Sequence, residues 1–479
     1  MNILKGLKPE NVFTFFEEIC TIPHGSGETR AISDYLVAFA AKRNLKYRQD
    51  EYNNVIIWKD ASKGAEKSPT VMIQGHMDMV CEKEPNCKKN MSTEGLSLFI
   101  DGEYIGAKDT TLGGDDGIAV AMALAVLDDD SIEHGPLECL FTVDEEIGLV
   151  GANALDTSDL SAKYMLNIDS EKEKVLTVSC AGSARVLCRI PFHRELFEGD
   201  SAEIFVAGLI GGHSGEEIHM CRANSNILLG RILYELSTEV PLRIVSINGG
   251  AKDNAIPRKA TAIVSVKDIR KVKKLIEPIR EEIKNEYRTS DPDIEIGIRA
   301  NNNQILPMNE ESTKRCITFM FCVPNGVQNM SADVQGLVQT SNNLGRVFME
   351  DQCLVGSMMI RSSVNSQKNE VLEKVTLLAE MLGGSISIAT NYSAWEYKKD
   401  SPLREKMSEA FFELYGEKPA IEALHAGLEC GILSGKMPEL DCISFGPDLL
   451  EIHTPRERLH IESTKRTYDL LIATLKKLI

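Results

Sequence analysis

Val71-Met72-Ile73 is a short apolar run that breaks at Gly75 into His76-Met77-Asp78. An imidazole can bind a transition metal, and a carboxylate two residues on can fix the ring's tautomer and raise its basicity. Gly106-Ala-Lys-Asp-Thr-Thr-Leu-Gly-Gly-Asp-Asp-Gly117 then leads into the helical run Ile118 to Leu127. One reading of Asp115 or Asp116 is a helix N-cap. The other is a ligand, because glycines let backbone crowd a ligand and a helix N-terminus tolerates a carboxylate. Leu137 to Val143 reads as a strand ending in Asp144-Glu145-Glu146-Ile147-Gly148, and Tyr164 to Ile168 as one ending in Asp169-Ser170-Glu171. Neighbouring residues on an extended chain face opposite ways. One of Glu145 and Glu146 can therefore hold metal while the other addresses water or substrate, although a solvated acidic turn is the plain alternative. Such a mix of nitrogen and oxygen donors suits zinc, and also manganese or cobalt.

These residues follow apolar runs, as expected of an open α/β sheet, where ligands gather beyond the carboxyl ends of the strands. Upstream, Pro9-Glu10-Asn11 opens one helix, and a second runs from Glu28 to Arg43, with Ile32, Tyr35, Leu36 and Phe39 on one face. Ile22-Pro-His-Gly-Ser-Gly27 separates the two, and His24 reads as a loop residue. Asn54 to Trp58 reads as a strand.

The 479 residues exceed a single core. After Ser179-Cys-Ala-Gly-Ser183 the character of the chain changes. Residues 185–395 are expected to form an inserted α+β unit within one catalytic domain made of 1–184 and 396–479. The insert shows an internal echo. Asn224 to Arg231 opens a helix, and Ser341-Asn-Asn-Leu-Gly-Arg346 is expected to do likewise. Ala262 to Val266 followed by helix 268–285 is repeated by Ser357 to Arg361 followed by helix 366–382. Within the insert, His213 in Gly211-Gly-His-Ser-Gly215, Asn254 and Arg361 are the polar candidates, with Arg361 as either a carboxylate clamp or a surface ion pair. The closing segment holds His425, Glu429 and His453-Thr-Pro-Arg456, and ends in a helix from Glu462 to Leu478.

Composition is ordinary for a globular protein, and the formal net charge of −18 excludes the basic face that nucleic acid or an anionic membrane requires. Twelve cysteines without a C-x-x-C pair imply no disulfide framework. With no signal-peptide pattern and no membrane-length apolar run, a cytoplasmic location is expected.

Taken together, Gly75-His76-Met77-Asp78, Gly113-Gly-Asp115-Asp-Gly117, Asp144-Glu-Glu146-x-Gly148, Asp169-Ser-Glu171, Gly212-His213-Ser-Gly215 and His453-Thr-Pro455 resemble the di-zinc exopeptidase family of dipeptidases, aminoacylases and glutamate carboxypeptidases. Ser179-Cys-Ala-Gly182 and His425-Ala-Gly-Leu-Glu429 are similar to its aminoacyl-histidine (Xaa-His) dipeptidase branch. The resemblance implies a mixed sheet flanked by helices, interrupted by a lid domain. It implies two metal ions, zinc first, bridged by Asp115 across a cis peptide to Asp116. His76 and Asp169 would complete one site, Glu146 and His453 the other. It further implies Asp78 as support for His76, Glu145 as general base and His213 at the oxyanion. Asn254, Arg361, His425 and Glu429 would hold a dipeptide substrate, Arg361 at its carboxylate. The branch usually has Asp where this chain has Arg456, which leaves the surroundings of His453 open. In simpler relatives a single-copy lid dimerises and the histidine acts across the interface. A homodimer is thus one expectation, and a duplicated lid standing in for the partner is the other. The rival activities are N-acyl amino acid deacylation and a non-catalytic metal-binding scaffold. No ligand or base is missing, which argues against the scaffold.

Overall fold

The computed structural model describes residues 3–479. Its contacts group into two units: the chain up to Ser179 with Tyr397–Ala423 and Leu428–Ile479, and Cys180–Glu396 with Leu424–Gly427. The sequence reading keeps 424–427 in the closing segment, whereas the contacts place it with the inserted unit.

The first unit is built on an eight-stranded mixed sheet. Its strand order is Lys46–Gln49, Val55–Lys59, Leu137–Thr142, Val71–His76, Tyr164–Asn167, Asp441–Ser444, Val175–Cys180 and Ala420–Leu424. Val71–His76 pairs in parallel with Leu137–Thr142 on one side and Tyr164–Asn167 on the other, and Asp441–Ser444 runs parallel to the latter. All six residues of each of the first two strands are buried, as expected of strands covered on both faces. Three adjacent parallel strands therefore deliver His76, Glu145–Glu146 and Asp169 to one edge of the sheet. Lys46–Gln49 was not expected, because Lys-Tyr-Arg-Gln carries no apolar pattern. It exists as an edge strand paired to Val55–Lys59.

Helix Gly114–Asp128 is apolar all round and buried from Gly117 to Leu127, the pattern of a fully enclosed helix. It packs between helix Glu10–Cys20 and strand Val71–His76. The approach to the strand is close: a Cβ at Gly75 would lie 2.6 Å from both Ala119 Cβ and Asp116 Oδ2. Asp115 and Asp116 have non-helical backbone angles, and the peptide between them is cis, as the resemblance implies. Neither residue caps the helix; Gly113, at φ +66°, holds the N-cap position.

The second unit contains one antiparallel sheet of nine strands, eight in a single order and the ninth, Gly326–Met330, paired to Val338–Glu350 off that order. Strands Leu242–Gly249 and Val338–Glu350 meet at its centre. Outward from the first lie Ala260–Val266, Asp200–Ala207 and Glu295–Ala300; outward from the second lie Cys353–Ser362, Gly182–Pro191 and Ser385–Tyr392. Each half is a strand, helix, two strands, helix and strand, and the spatial order of strands is the same on both sides of the centre. The two helices before the central strands, Ser225–Glu239 and Glu310–Cys322, are both capped by an asparagine side chain, Asn224 and Asn309. They pack together, with Tyr234 and Phe321 stacked 4.6 Å apart. The internal echo is therefore present, but one expected element is wrong. Ser341–Arg346 does not open a helix; it lies inside strand Val338–Glu350, and the counterpart of the Asn224 helix is Glu310–Cys322.

Because no Cβ fits at Gly75, Gly75→Ala should lower stability by about 1–3 kcal/mol through overpacking. Chemical denaturation followed by circular dichroism measures it, and an unchanged midpoint would show that strand and helix can part without cost.

Candidate active site

At the sheet edge, the His76 ring is buried and its Nδ1 lies 3.0 Å from the carbonyl oxygen of Asp78. That acceptor requires a proton on Nδ1, so the neutral ring presents its Nε2 lone pair to the site. Nε2 is 3.1 Å from Asp115 Oδ1 and 3.8 Å from Asp169 Oδ1. On the other side, His453 Nε2 is 3.1 Å from Asp115 Oδ2 and 2.8 Å from Glu146 Oε1. The contact with Glu146 lacks hydrogen-bonding geometry, so its buried Oε1 has no donor. Asp115 thus turns one oxygen to each of two histidines. Among the described residues, ligand atoms lying within 4.8 Å of one another form the groups Asp115–Glu146–His453, His76–Glu145–Glu146 and His76–Asp116–Asp169. Asp116 is buried beneath the others, with Oδ2 accepting from the His76 backbone N–H at 3.3 Å.

Electrostatics point the same way. Burial alone would lower the His76 pKa, but hydrogen bonds to Asp115 and Asp78 outweigh it and raise the pKa well above its ordinary value. His453, bonded to Asp115 and close to Glu146, is pushed up to about 10. Burial and then Asp116 raise Asp169 well above the carboxylate range. Burial, with the nearby charges of Glu429, Glu146 and Asp115, lifts Glu145 to about 8. Acids crowded against basic histidines, one with an orphaned oxygen, are a donor set that fits two divalent cations.

Asp78 sits behind this centre, almost fully buried. Its Oδ1 accepts from the Glu145 backbone N–H at 3.1 Å, and its Oδ2 accepts from Ser26 Oγ at 2.8 Å. One carboxylate therefore ties the His76 turn to the Glu145 turn. Ser26, in the loop between the first two helices, is a support that the motifs do not announce; the run Gly25-Ser26-Gly27 after His24 was its only trace.

The surroundings of His453, left open by the departure at Arg456, do not involve that side chain: Arg456 is exposed and pairs with Glu451. The next residue, Glu457, is buried and accepts from the backbone N–H groups of Leu112, Gly113, Gly114 and Asp115. Glu429, expected beside His425 at the substrate, lies instead within the first unit. It is 0% exposed, with Oε2 bonded to Gln74 and Thr142. Its carboxyl, raised by burial to about 7, belongs to the underlayer of the sheet edge.

The second unit assembles the other candidates. Gly212–His213 pairs with Ala255–Ile256, and Ser214 N–H donates to Asn254 O, so His213 and Asn254 are neighbours. His213 Nδ1 accepts from the Glu216 N–H at 3.2 Å, which leaves Nε2–H as the free donor. Burial, then Arg361, lowers its pKa. Arg361 is 6% exposed and its Nε has no partner. His425, lowered by burial to about 3, is held by Ser341 Oγ at 2.8 Å, and its Nδ1 also has no partner. A Cβ at Gly215 would lie 2.8 Å from His425 O, 3.1 Å from His213 Cε1 and 3.3 Å from Arg361 Nε, so these groups cluster around Gly215. Asn343, two residues past Ser341, donates to Asp253 O and Ala255 O and pins the Asn254 turn.

A model of the M20/M25/M40 peptidases matches residues 72–477. The chain belongs to this peptidase family. It is 34% identical to the cytosol non-specific dipeptidase of Escherichia coli (strain K12), over 100% of this chain and 99% of that one. The crystal structure of the aminoacylhistidine dipeptidase from Vibrio alginolyticus matches 99% of this chain and 97% of its own with a TM-score of 0.93 at 34% identity. An aminopeptidase, PepT, from Bacillus cereus shares the fold at a TM-score of 0.56 and 17% identity, covering 98% and 99%.

With His453 at about 10, a metal arriving near pH 7 must displace a proton from that ring. Metal affinity should therefore rise with pH through the neutral range, and binding should release protons. Calorimetric titration in buffers of different ionisation enthalpy reads the number released; a value of zero would contradict the strongly basic His453.

Proposed function

We propose that the chain is a metal-dependent dipeptidase acting on dipeptides with a free N-terminus, Xaa-His among them. The observation that carries the metal centre is Asp115, whose two oxygens face His76 and His453. On this reading Asp115 would be shared between two ions, with His76 and Asp169 to complete the hold on one and Glu146 and His453 on the other. Zinc is the first choice for this donor set, with manganese or cobalt as alternatives. Bound dications would polarise the scissile carbonyl and acidify a water.

Glu145 takes the proton of the attacking water on a carboxylate oxygen and returns it to the leaving amine. Asp78 keeps the His76 tautomer and the Glu145 turn in register. The Nε2–H of His213 donates to the oxyanion that develops on the carbonyl. The unpartnered Nε of Arg361 suits the free carboxylate of a dipeptide, and Asn254 and His425 contact the substrate beside it. An N-acyl amino acid would share the metals but lack the free amine, so turnover of Ala-His against its N-acetyl amino acid counterpart separates the two activities. The duplicated second unit supports a His213 that serves its own chain. A cytoplasmic location accords with twelve cysteines, none in a C-x-x-C pair, and with the cytosolic relative. Among the described residues, no helix is long and apolar enough to cross a membrane.

Glu145→Gln cannot accept a proton and should lower kcat by ~10²–10⁴ while both metals stay bound. Glu146→Gln should instead lose metal. Elemental analysis beside dipeptide turnover distinguishes them, and the opposite pattern would reverse the two roles. Mixing inactive His213→Ala and Glu145→Gln chains should restore no activity; recovery would mean that the histidine acts between subunits.

A further inference from the structure

Glu457 has an unusual environment for an acid. Its Oε2 accepts from Leu112 N–H at 2.7 Å and Gly113 N–H at 3.1 Å, and its Oε1 from Gly114 N–H at 2.8 Å and Asp115 N–H at 3.4 Å. It is 2% exposed and faces no cationic side chain in these contacts. The four donors belong to the turn that opens helix Gly114–Asp128, where N–H groups are left over by the helix and the dipole favours an anion. Room for the carboxylate comes from Gly114, where a Cβ would lie 2.7 Å from Leu449 and 3.2 Å from Glu457 Oε1.

Glu457 stands four residues after His453, on the same loop. Besides the contacts of His453 with Asp115 and Glu146, and the pairing of Leu449–Leu450 with Arg458–His460 at its ends, that loop's polar ties run among its own residues: Thr454 to Glu451, Arg456 to Glu451 and Thr454, and Glu457 N–H to Thr454 O. His453 itself is exposed. The clamp on 112–115 thus ties the His453 loop directly to the backbone of Asp115, beyond the strand pairing at the loop's ends. The other side of the centre has independent support. His76 ends a strand paired on both sides, and Ile168, next to Asp169, donates its N–H to Gln74 O of that same strand.

We propose that Glu457 is a positioning residue that holds Asp115 in register with His453, so that the Asp115–Glu146–His453 metal position depends on it while the position completed by His76 and Asp169 does not. The inference rests on the two-metal reading above. A glutamine at 457 keeps one accepting oxygen but turns its NH₂ toward two N–H donors, so half the clamp becomes repulsive. An aspartate keeps the charge but falls one methylene short.

The test is a metal titration followed by calorimetry and elemental analysis, with manganese as the probe for electron paramagnetic resonance. Wild type should bind two ions and give an exchange-coupled spectrum; binding of one ion or none would refute the two-metal reading itself. In Glu457→Gln the second ion should weaken by ~10–100-fold while the first changes by less than about threefold. Its spectrum should then match the isolated-ion signal of His453→Ala. Glu457→Asp should fall between, and Arg456→Ala, altering only an exposed ion pair, should bind both ions as wild type does. Two ions bound with wild-type affinity by Glu457→Gln would overturn the proposal, as would equal loss of both. Should Glu457→Gln fail to fold, the same titration on Glu457→Asp decides: selective weakening of the second ion supports the proposal, and unchanged or uniform affinity overturns it.

Discussion

The centre of the first unit has to hold like charges together before any cation arrives. Asp115, Glu145, Glu146 and Asp169 converge on two imidazoles, and at an effective dielectric constant near 20 two carboxylates 4 Å apart repel by about 4 kcal/mol. Side-chain flexibility would relieve that strain by letting the acids swing into water. The surroundings prevent it. His76 and Asp169 leave strands locked in the sheet, Asp115 stands at a helix start whose N–H groups are occupied by Glu457, and the Glu145 turn is tied through Asp78 to Ser26. Rigid burial keeps the acids crowded and raises the basicity of the histidines, so each ring holds a proton that an arriving cation must displace.

Much of this was legible because each ligand follows an apolar run, and a run ending in acids or histidine declares both a strand and its chemistry. What was not legible lies in contacts between distant stretches. Ser26 sits in a loop whose glycines and proline signal only a turn; its bond to Asp78 spans 52 residues. Glu457 was hidden behind Arg456, whose unexpected charge drew the question of what supports His453, although Arg456 reaches only Glu451. Glu429 was placed at the substrate through the His425-Ala-Gly-Leu-Glu429 motif that the branch resemblance supplies. Its carboxylate is taken up by Gln74 and Thr142, a pairing with distant stretches that the motif does not announce.

The misread Ser341–Arg346 has a physical reason as well. Ser341, Asn342 and Asn343 are buried within a strand, where apolar side chains are usual. They are polar because each serves another segment: Ser341 holds His425, Asn342 bonds Pro324 O, and Asn343 pins the turn of Asn254. A strand whose inward side chains work as brackets has no apolar alternation, and pattern reading then falls back on its asparagines as a helix start.

The duplicated sheet is threaded in a way that sets an order of completion. The half formed by 200–300 is one continuous stretch, whereas its counterpart takes one strand from before it, Gly182–Pro191, and the remainder from after it. The first unit, in turn, begins before both and ends after both. The chain is nested like brackets within brackets. As it emerges from the ribosome, only the innermost stretch has all its partners early; the second half closes when 385–392 arrives, and the outer sheet waits for 441–444. His453 and Glu457 come later still. The residues that cluster around Gly215 (His213, Arg361 and His425) are therefore all synthesised before the metal centre can close.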